Sequence, residues 1–383
     1  GYGYQVFDME HISKEEAKSE ESSVASRISP SLSIGNATLN NACVDNNRST
    51  GYTFKGNDTL RIQSEQEIGY LYITWGSNVN SYAMKANKKT TKQGSDSFLH
   101  ELIKVDKNTK EIELSKLDGN DMKEIVVYSK GELPNDVQDW SKPYKKSDIL
   151  AFPTHADDDT LYLGALISEY AAKGKKIQLA FLTNSNSAAN TTDVDVRQHE
   201  MLDGMWEMGL RAYPIVGEFP DIASRDLAHA KSVYDTKALQ QFQVANIRRF
   251  QPAIVIGHDE NGEYGHGVHM LNTDLLKDSI HLAKDASYDE TSYKAYGTHA
   301  PKKTYFHLYG KNQIMLDVHQ KMDALQGRSP FEVATSAYGK HESQHQYALA
   351  VEDFGVGDCR LFGLYESSVG YDITTNNLFA GIE

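Results

Sequence analysis

Four short apolar runs, at 148–153, 177–182, 253–256 and 304–308, are separated by stretches around 193–208, 236–250 and 267–284 that read as helical. Continuous apolar runs of this length are strands buried on both faces, and strands alternating with helices build a mostly parallel sheet covered on both sides. After the first run, Leu161, Ala165, Ile167 and Ala171 line one side of a helix that ends near Gly174. The expected fold class over residues 141–383 is therefore α/β, a Rossmann-like sheet with helices on both faces.

The first third of the chain has a different rhythm. Residues 11–30 are rich in Ser, Glu and Lys, and 1–30 read as a flexible, solvated arm. From 31 to 140 the pattern is one of short strands: Leu71, Ile73 and Trp75 alternate, Ile112 and Leu114 alternate, and 125–128 reads IVVY. Gly-Asn-Asp at 56–58 and Asp-Gly-Asn at 118–120 supply turns, so this segment is expected to be an all-β sandwich serving as an accessory domain. The polar, proline-containing stretch 131–148 places the boundary near 140. A chain of 383 residues holds two cores of this size.

Composition removes several function classes. The 53 acidic residues outnumber the 39 basic ones, and a net charge of -14 repels phosphate backbones, so no nucleic-acid partner is expected. No apolar run approaches the ~20 residues needed to cross a bilayer. The two cysteines, Cys43 and Cys359, fall in opposite halves and would pair only if the domains docked there. The chain begins at Gly1, and the expected location is secreted or cell-surface associated, after removal of a leader. Asn-x-Ser/Thr triplets start at Asn36, Asn47, Asn57 and Asn190, but in an Asn-rich chain they do not settle the compartment.

Chemistry concentrates at two strand ends. THADDD, 154–159, follows the first apolar run, where α/β folds place ligand sites, although an aspartate after a strand is as often a helix cap. HDENGEYGHGVH, 258–269, follows the third run through a glycine-rich loop, and His266 and His269 are three apart, on one side of a first helical turn. A catalytic zinc site takes three His/Asp/Glu ligands and leaves a fourth position for water, and His155, Asp158 and His269 supply that set.

Together with VRQHEMLDGMWEMGL (196–210), FPD (219–221), KHESQ (340–344) and the C-terminal FGLY and VGYD, these two clusters resemble the PIG-L/LmbE-like family of zinc-dependent N-deacetylases. The resemblance spans about 150–383. It implies one zinc ion per chain, with iron(II) as an alternative, held by His155, Asp158 and His269. It implies Asp157 as general base, with His266 assisting at the oxyanion or the leaving amine. The chain departs from the family pattern at Ala156, in place of proline, at Asp159, in place of glutamate, and at Val268, in place of the acidic residue before the last histidine. The last change removes an expected charge partner of His266. The residues themselves fit such a mechanism, with Tyr264 or His266 as oxyanion donor. Arg197 and Asp221 are candidates to grip substrate hydroxyls, although Arg197 reads equally as a surface ion pair.

The expected activity is hydrolysis of the acetamide of an N-acetylated sugar in a glycan, giving acetate and a free amine. The sandwich is similar to discoidin-like domains in its strand rhythm; Tyr70, Tyr72 and Trp75 would be its sugar platform if it binds carbohydrate, while a scaffold role is the plainer expectation. Three rivals stand beside this reading: a non-haem iron oxygenase using two histidines and a carboxylate, a glycan-binding protein with a non-catalytic metal site, and a hydrolase of another amide. The oxygenase triad normally sits on a β-barrel and leaves one aspartate of the first cluster unexplained.

Overall fold

The computed structural model describes residues 23–39, 41–76, 79–187 and 194–382; most of the sequence-predicted arm and the Asn190 glycosylation triplet lie outside them. Within these residues the chain is an all-β sandwich followed by a mixed α/β layer structure.

The sandwich consists of two antiparallel sheets. One orders the strands Arg27–Ile28, Asp121–Tyr128, Tyr70–Trp75 and His100–Lys104, and the other contains Leu60–Gln63, Glu111–Ser115 and Tyr82–Ala86 at its centre. Strand periodicity of two sends Leu71, Ile73 and Trp75 inward against Leu60, Ile62, Ile112 and Leu114. The same periodicity turns Tyr70 and Tyr72 to the opposite face, so these two and Trp75 do not form a common platform. Trp75 is a core residue, 1% exposed, with its indole N–H donating to Glu101 Oε2 at 3.1 Å. The strand Arg27–Ile28 pairs with Asp121–Tyr128, so the sheet already begins inside the segment read from sequence as an arm. Cys43 and Cys359 are both buried free thiols, and Cys43 donates to the Met122 carbonyl at 3.3 Å.

The α/β sheet runs Ile215–Asp221, Ile177–Ser187, Ile149–Ala151, Ile254–Gly257, Lys303–His307, Leu361–Ser367, Gln313–Met315. The first five strands are parallel, and Leu361–Ser367 is antiparallel to both its neighbours. Alternate residues of each central strand enter different cores. Ile149, Ala151, Ile254 and Ile256 face the helices Gly164–Ala172 and Pro330–Tyr338, while Leu150 and Val255 face Thr236–Phe250 and Gly267–Leu282. Helices therefore cover both faces. From the central strand Ile149–Ala151 the chain first builds outward to one side and then returns to build on the other. The point of reversal lies between Ile149–Ala151 and Ile254–Gly257, whose carboxyl ends open a crevice for the two chemistry-bearing loops.

The single helix expected after the first strand is split into Asp158–Leu161 and Gly164–Ala172. A Cβ at Gly164 would lie 2.9 Å from that of Ala334, which shows how closely the Pro330–Tyr338 helix approaches. That helix opens with a reciprocal cap between Ser329 and Glu332 and a proline in its first turn.

The two layers share one continuous apolar cluster. Trp140 packs edge-on against Trp206 and Tyr213, whose hydroxyl accepts from the Leu99 N–H at 3.0 Å. A buried polar chain crosses the same interface: His199 Nδ1 lies 2.9 Å from His100 Nε2, His100 Nδ1 lies 2.7 Å from Gln138 Oε1, and Gln138 donates to Asp203, which also pairs with Arg48. Burial, together with the Arg48 charge, pushes His100 down to about 3. Between that value and the ordinary histidine value near ~6.5, the unfolded chain binds a proton that folded His100 refuses, so stability falls as pH drops through this window. His100→Gln is expected to reduce that acid slope and to cost about 1–3 kcal/mol at neutral pH through the partners it leaves unpaired. Urea unfolding at about pH 5 and about pH 7.5 measures both effects.

Candidate metal centre

The loop leaving Ile149–Ala151 is fixed before it carries any chemistry. The Thr154 N–H donates to His258 Nε2 at 3.0 Å, its carbonyl accepts from Thr183, and Asn272 donates to the Phe152 carbonyl and to Thr154 Oγ1. Asn272 follows His269 by three residues, so both side chains leave the same side of the Gly267–Leu282 helix toward the strand ends. Asp157 then adopts φ 124°, outside the regions that L-residues prefer, at the start of the short Asp158–Leu161 helix. Backbone strain of this kind persists only where the surroundings enforce it.

Three donor atoms converge there. His155 Nδ1 lies 3.0 Å from His269 Nε2 and 3.2 Å from Asp158 Oδ2, and His269 Nε2 lies 3.0 Å from the same oxygen. Tetrahedral ligands at zinc–ligand distances of ~2.0–2.1 Å stand roughly 3.3 Å apart, so this donor set fits a zinc ion without rearrangement. All three residues are buried. Asp158 also accepts from the His155 backbone N–H at 2.7 Å. Burial resists its charge, yet His269 and His155 hold its carboxyl well below the usual range. His155 is likewise opposed by burial but held up at about 10 by hydrogen bonds to Asp158 and Asp221.

A second overlapping group, His155, Asp221 and His266, also has metal-compatible spacing. Asp221 accepts from His155 Nε2 at 3.0 Å, which orients the ring and aims Nδ1 at Asp158 and His269.

The remaining sequence-predicted residues surround this trio. Arg197 is largely buried rather than a surface ion pair; it donates to the Ala156 carbonyl at 2.7 Å and sits 3.7 Å from carboxylate oxygens of both Asp157 and Asp221. Asp157 points beside the trio, and burial together with the Asp158 charge raises its proton affinity. His266 caps the Gly267–Leu282 helix with Nδ1 accepting from the Val268 N–H, so the neutral ring carries its hydrogen on Nε2. Its partner is thus the backbone of the residue that replaced the expected acid. Tyr264 is half exposed, with its ring edge-on to His266 and His269. These groups line a cavity of about 630 Å³ closed on one side by Gln344 and 346–349. His341 is fully buried beneath it, while Gln344 reaches the cavity itself.

Sequence reasoning missed the support behind the centre. Glu263, fully buried at φ 62°, bridges His258 Nδ1 at 3.0 Å and His307 Nδ1 at 2.7 Å, and the His307 Nε2 donates to the Asp358 carbonyl at 2.8 Å. Both His307 nitrogens therefore donate, and the pair is a buried His⁺–Glu⁻ contact: burial opposes both charges, but each group stabilises the other, holding Glu263 at about 2 and raising His307. His258 in turn stacks on His269, ring centres 4.4 Å apart. Gly262 at φ +76° makes the loop possible, since a Cβ there would meet the His266 carbonyl at 2.5 Å. The one available signal was Glu263 itself, an acid inside a histidine-rich loop. Glu263→Ala is expected to destabilise the fold by about 3–5 kcal/mol, because it strands a buried cation, a loss read directly by chemical denaturation.

The chain is similar to known proteins over the residues that carry the two clusters. The family model described as PIG-L, GlcNAc-PI de-N-acetylase, matches residues 150–279, which contain both clusters. A curated relative, 1D-myo-inositol 2-acetamido-2-deoxy-alpha-D-glucopyranoside deacetylase 1 of Catenulispora acidiphila, is 25% identical over 161 residues, covering 37% of this chain and 50% of the relative. The chain thus spans about half the length of that relative. Among solved structures, N,N'-diacetylchitobiose deacetylase of Pyrococcus horikoshii superposes with a TM-score of 0.42 at 15% identity, covering 54% of this chain and 74% of the other. A conserved protein of Thermus thermophilus gives 0.39 at 19%, covering 52% and 80%. Over residues 150–279, then, the chain is similar to the PIG-L family, and that stretch holds both chemistry-bearing clusters.

Proposed function

We propose that the chain is a zinc-dependent N-deacetylase that hydrolyses the acetamide of an N-acetylated sugar, releasing acetate and a free amine. The observation that carries this reading is the juxtaposition, in one solvent-open cavity, of a three-donor trio with a carboxylate, Asp157, that is adjacent to the trio but not part of it. The family match over both clusters supports it, as does the curated relative, whose name specifies an acetamido sugar.

Zinc held by His155, Asp158 and His269 would supply Lewis acidity and a more acidic water. Asp157, with its proton affinity raised, takes a proton from the attacking water. Arg197 steadies the Asp157 carboxylate from 3.7 Å and is itself fixed by the Ala156 carbonyl. Asp157 passes the proton it has taken to the departing nitrogen, while His266 presents its Nε2–H as a hydrogen bond to the developing oxyanion and the Tyr264 hydroxyl stands at the rim as a further donor. Burial pushes His266 down to about 3, so it works from the neutral form at physiological pH. Asp221 and Arg197 both face the cavity, where their free polar edges meet sugar hydroxyls. No helix among the described residues is long and apolar enough to cross a membrane, and the reading needs no membrane anchor.

Acetate release from N-acetylhexosamine oligosaccharides is the direct test. Asp157→Asn is expected to lower kcat by about 10²–10⁴ while keeping the bound metal, and His269→Ala to lose both metal and turnover. Undiminished release by Asp157→Asn would remove the assigned base. Absence of release from every acetylated sugar by the metal-loaded wild-type chain would move the reading to another amide.

A further inference from the structure

A second cavity of about 670 Å³ lies between the sandwich and the α/β layers. Its volume is that of a ligand site, and a domain interface is where such sites gather. The outward face of the sandwich contributes Tyr72 and Glu124; the Val194–Glu207 helix contributes His199, Glu200 and Trp206.

The proton arrangement along one wall can be deduced. The Trp140 indole N–H only donates, and it meets Gln138 Oε1 at 2.9 Å, so this atom is the amide oxygen. His100 Nδ1 therefore donates to Gln138, and His100 Nε2 accepts from His199 Nδ1. That leaves His199 Nε2 a bare lone pair, on a fully buried side chain lining the cavity, with no protein partner. Buried acceptors are normally satisfied, so this one is an unmet polar group within the wall of the cavity.

Charge narrows the class of ligand. Six carboxylates line the cavity against three cations; the Arg48–Asp203 pair cancels and Glu207 is paired with Arg328, which leaves Glu124, Asp136, Glu200 and Glu342 against Arg27 and Lys340. The site repels anions and suits a neutral or cationic molecule rich in hydroxyls, with the Tyr72 and Trp206 rings offering apolar surface to sugar faces. The cavity also shares its walls with the metal centre. One turn of the Val194–Glu207 helix places Arg197 in the first cavity and Glu200 in the second, and the segment after the Pro330–Tyr338 helix sends Glu342 to one and Gln344 and Tyr347 to the other, with Ser343 between them bonded to Glu200.

We propose that the interdomain cleft binds outlying units of an uncharged or amine-bearing amino-sugar chain while another unit occupies the metal centre, so that the substrate is an oligosaccharide read by both domains. This rests on the deacetylase reading above. The test uses the full chain carrying Asp157→Asn and measures binding of the N-acetylglucosamine hexamer and dimer by titration calorimetry. The hexamer is expected to bind about tenfold more tightly, and that ratio to fall toward one in Tyr72→Ala and in Glu342→Lys, the second on an exposed side chain outside the core. Equal affinities for the two ligands, or a ratio that survives both substitutions, would overturn the cleft. Acetate release by the metal-loaded wild-type chain, from the hexamer as well as the dimer, is the separate readout for the deacetylase reading, which its absence from these and every other acetylated sugar overturns whatever the binding ratio.

Discussion

The Asp158 carboxylate is 2% exposed, and a buried charge of this kind is tolerated only where cationic or metal partners surround it. Much of the α/β layer can be understood as meeting that requirement. His155 and His269 reach the same carboxylate oxygen from two different loops, Asp221 steadies His155 from behind, and His258 stacks on His269 while leaning on Glu263 and His307. Asp221 thus holds His155 by a hydrogen bond, whereas His269, whose Nδ1 has no hydrogen-bond partner, is held by its stack on His258. The result is a buried donor trio whose spacing would suit a divalent cation.

The sheet makes this convergence possible. Two loops separated by about a hundred residues meet because Ile149–Ala151 and Ile254–Gly257 are hydrogen-bonded neighbours, with Ala151 opposite Ile256. The reversal of strand order between them opens the crevice, and the strained Asp157 lies at its floor. The sandwich is joined to this assembly by a continuous core and by a buried chain of imidazole and amide groups, not by a loose linker. Geometry at the interface is therefore fixed, which a shared substrate surface requires.

Much of this architecture was legible in the sequence. Fully apolar runs identify central strands because both faces are buried, and the His and Asp clusters stand out because they follow those runs directly. His155, Asp158 and His269 lie together, and Asp157 and His266 line the adjoining cavity. What stayed hidden depends on tertiary partners. The antiparallel Leu361–Ser367 strand carries no periodicity that distinguishes its direction, and the close approach at Gly164, beside the split of the first helix, is made by Ala334, far away in sequence. Glu263 and His307 are 44 residues apart, so no local pattern joins them. Asp221 was recognised as a site residue, but its bond to His155 could be seen only once both loops were in place. The aromatic alternation of 70–75 agrees with the plainer expectation for Trp75, a core residue, since a strand divides neighbouring rings between two faces.

Anomalous diffraction at the zinc edge from crystals of the metal-loaded chain tests the central claim most directly. The account predicts one peak in contact with His155 Nδ1, His269 Nε2 and the Asp158 carboxylate. A peak instead between His155 Nε2, Asp221 and His266, or no peak at either group, would contradict it.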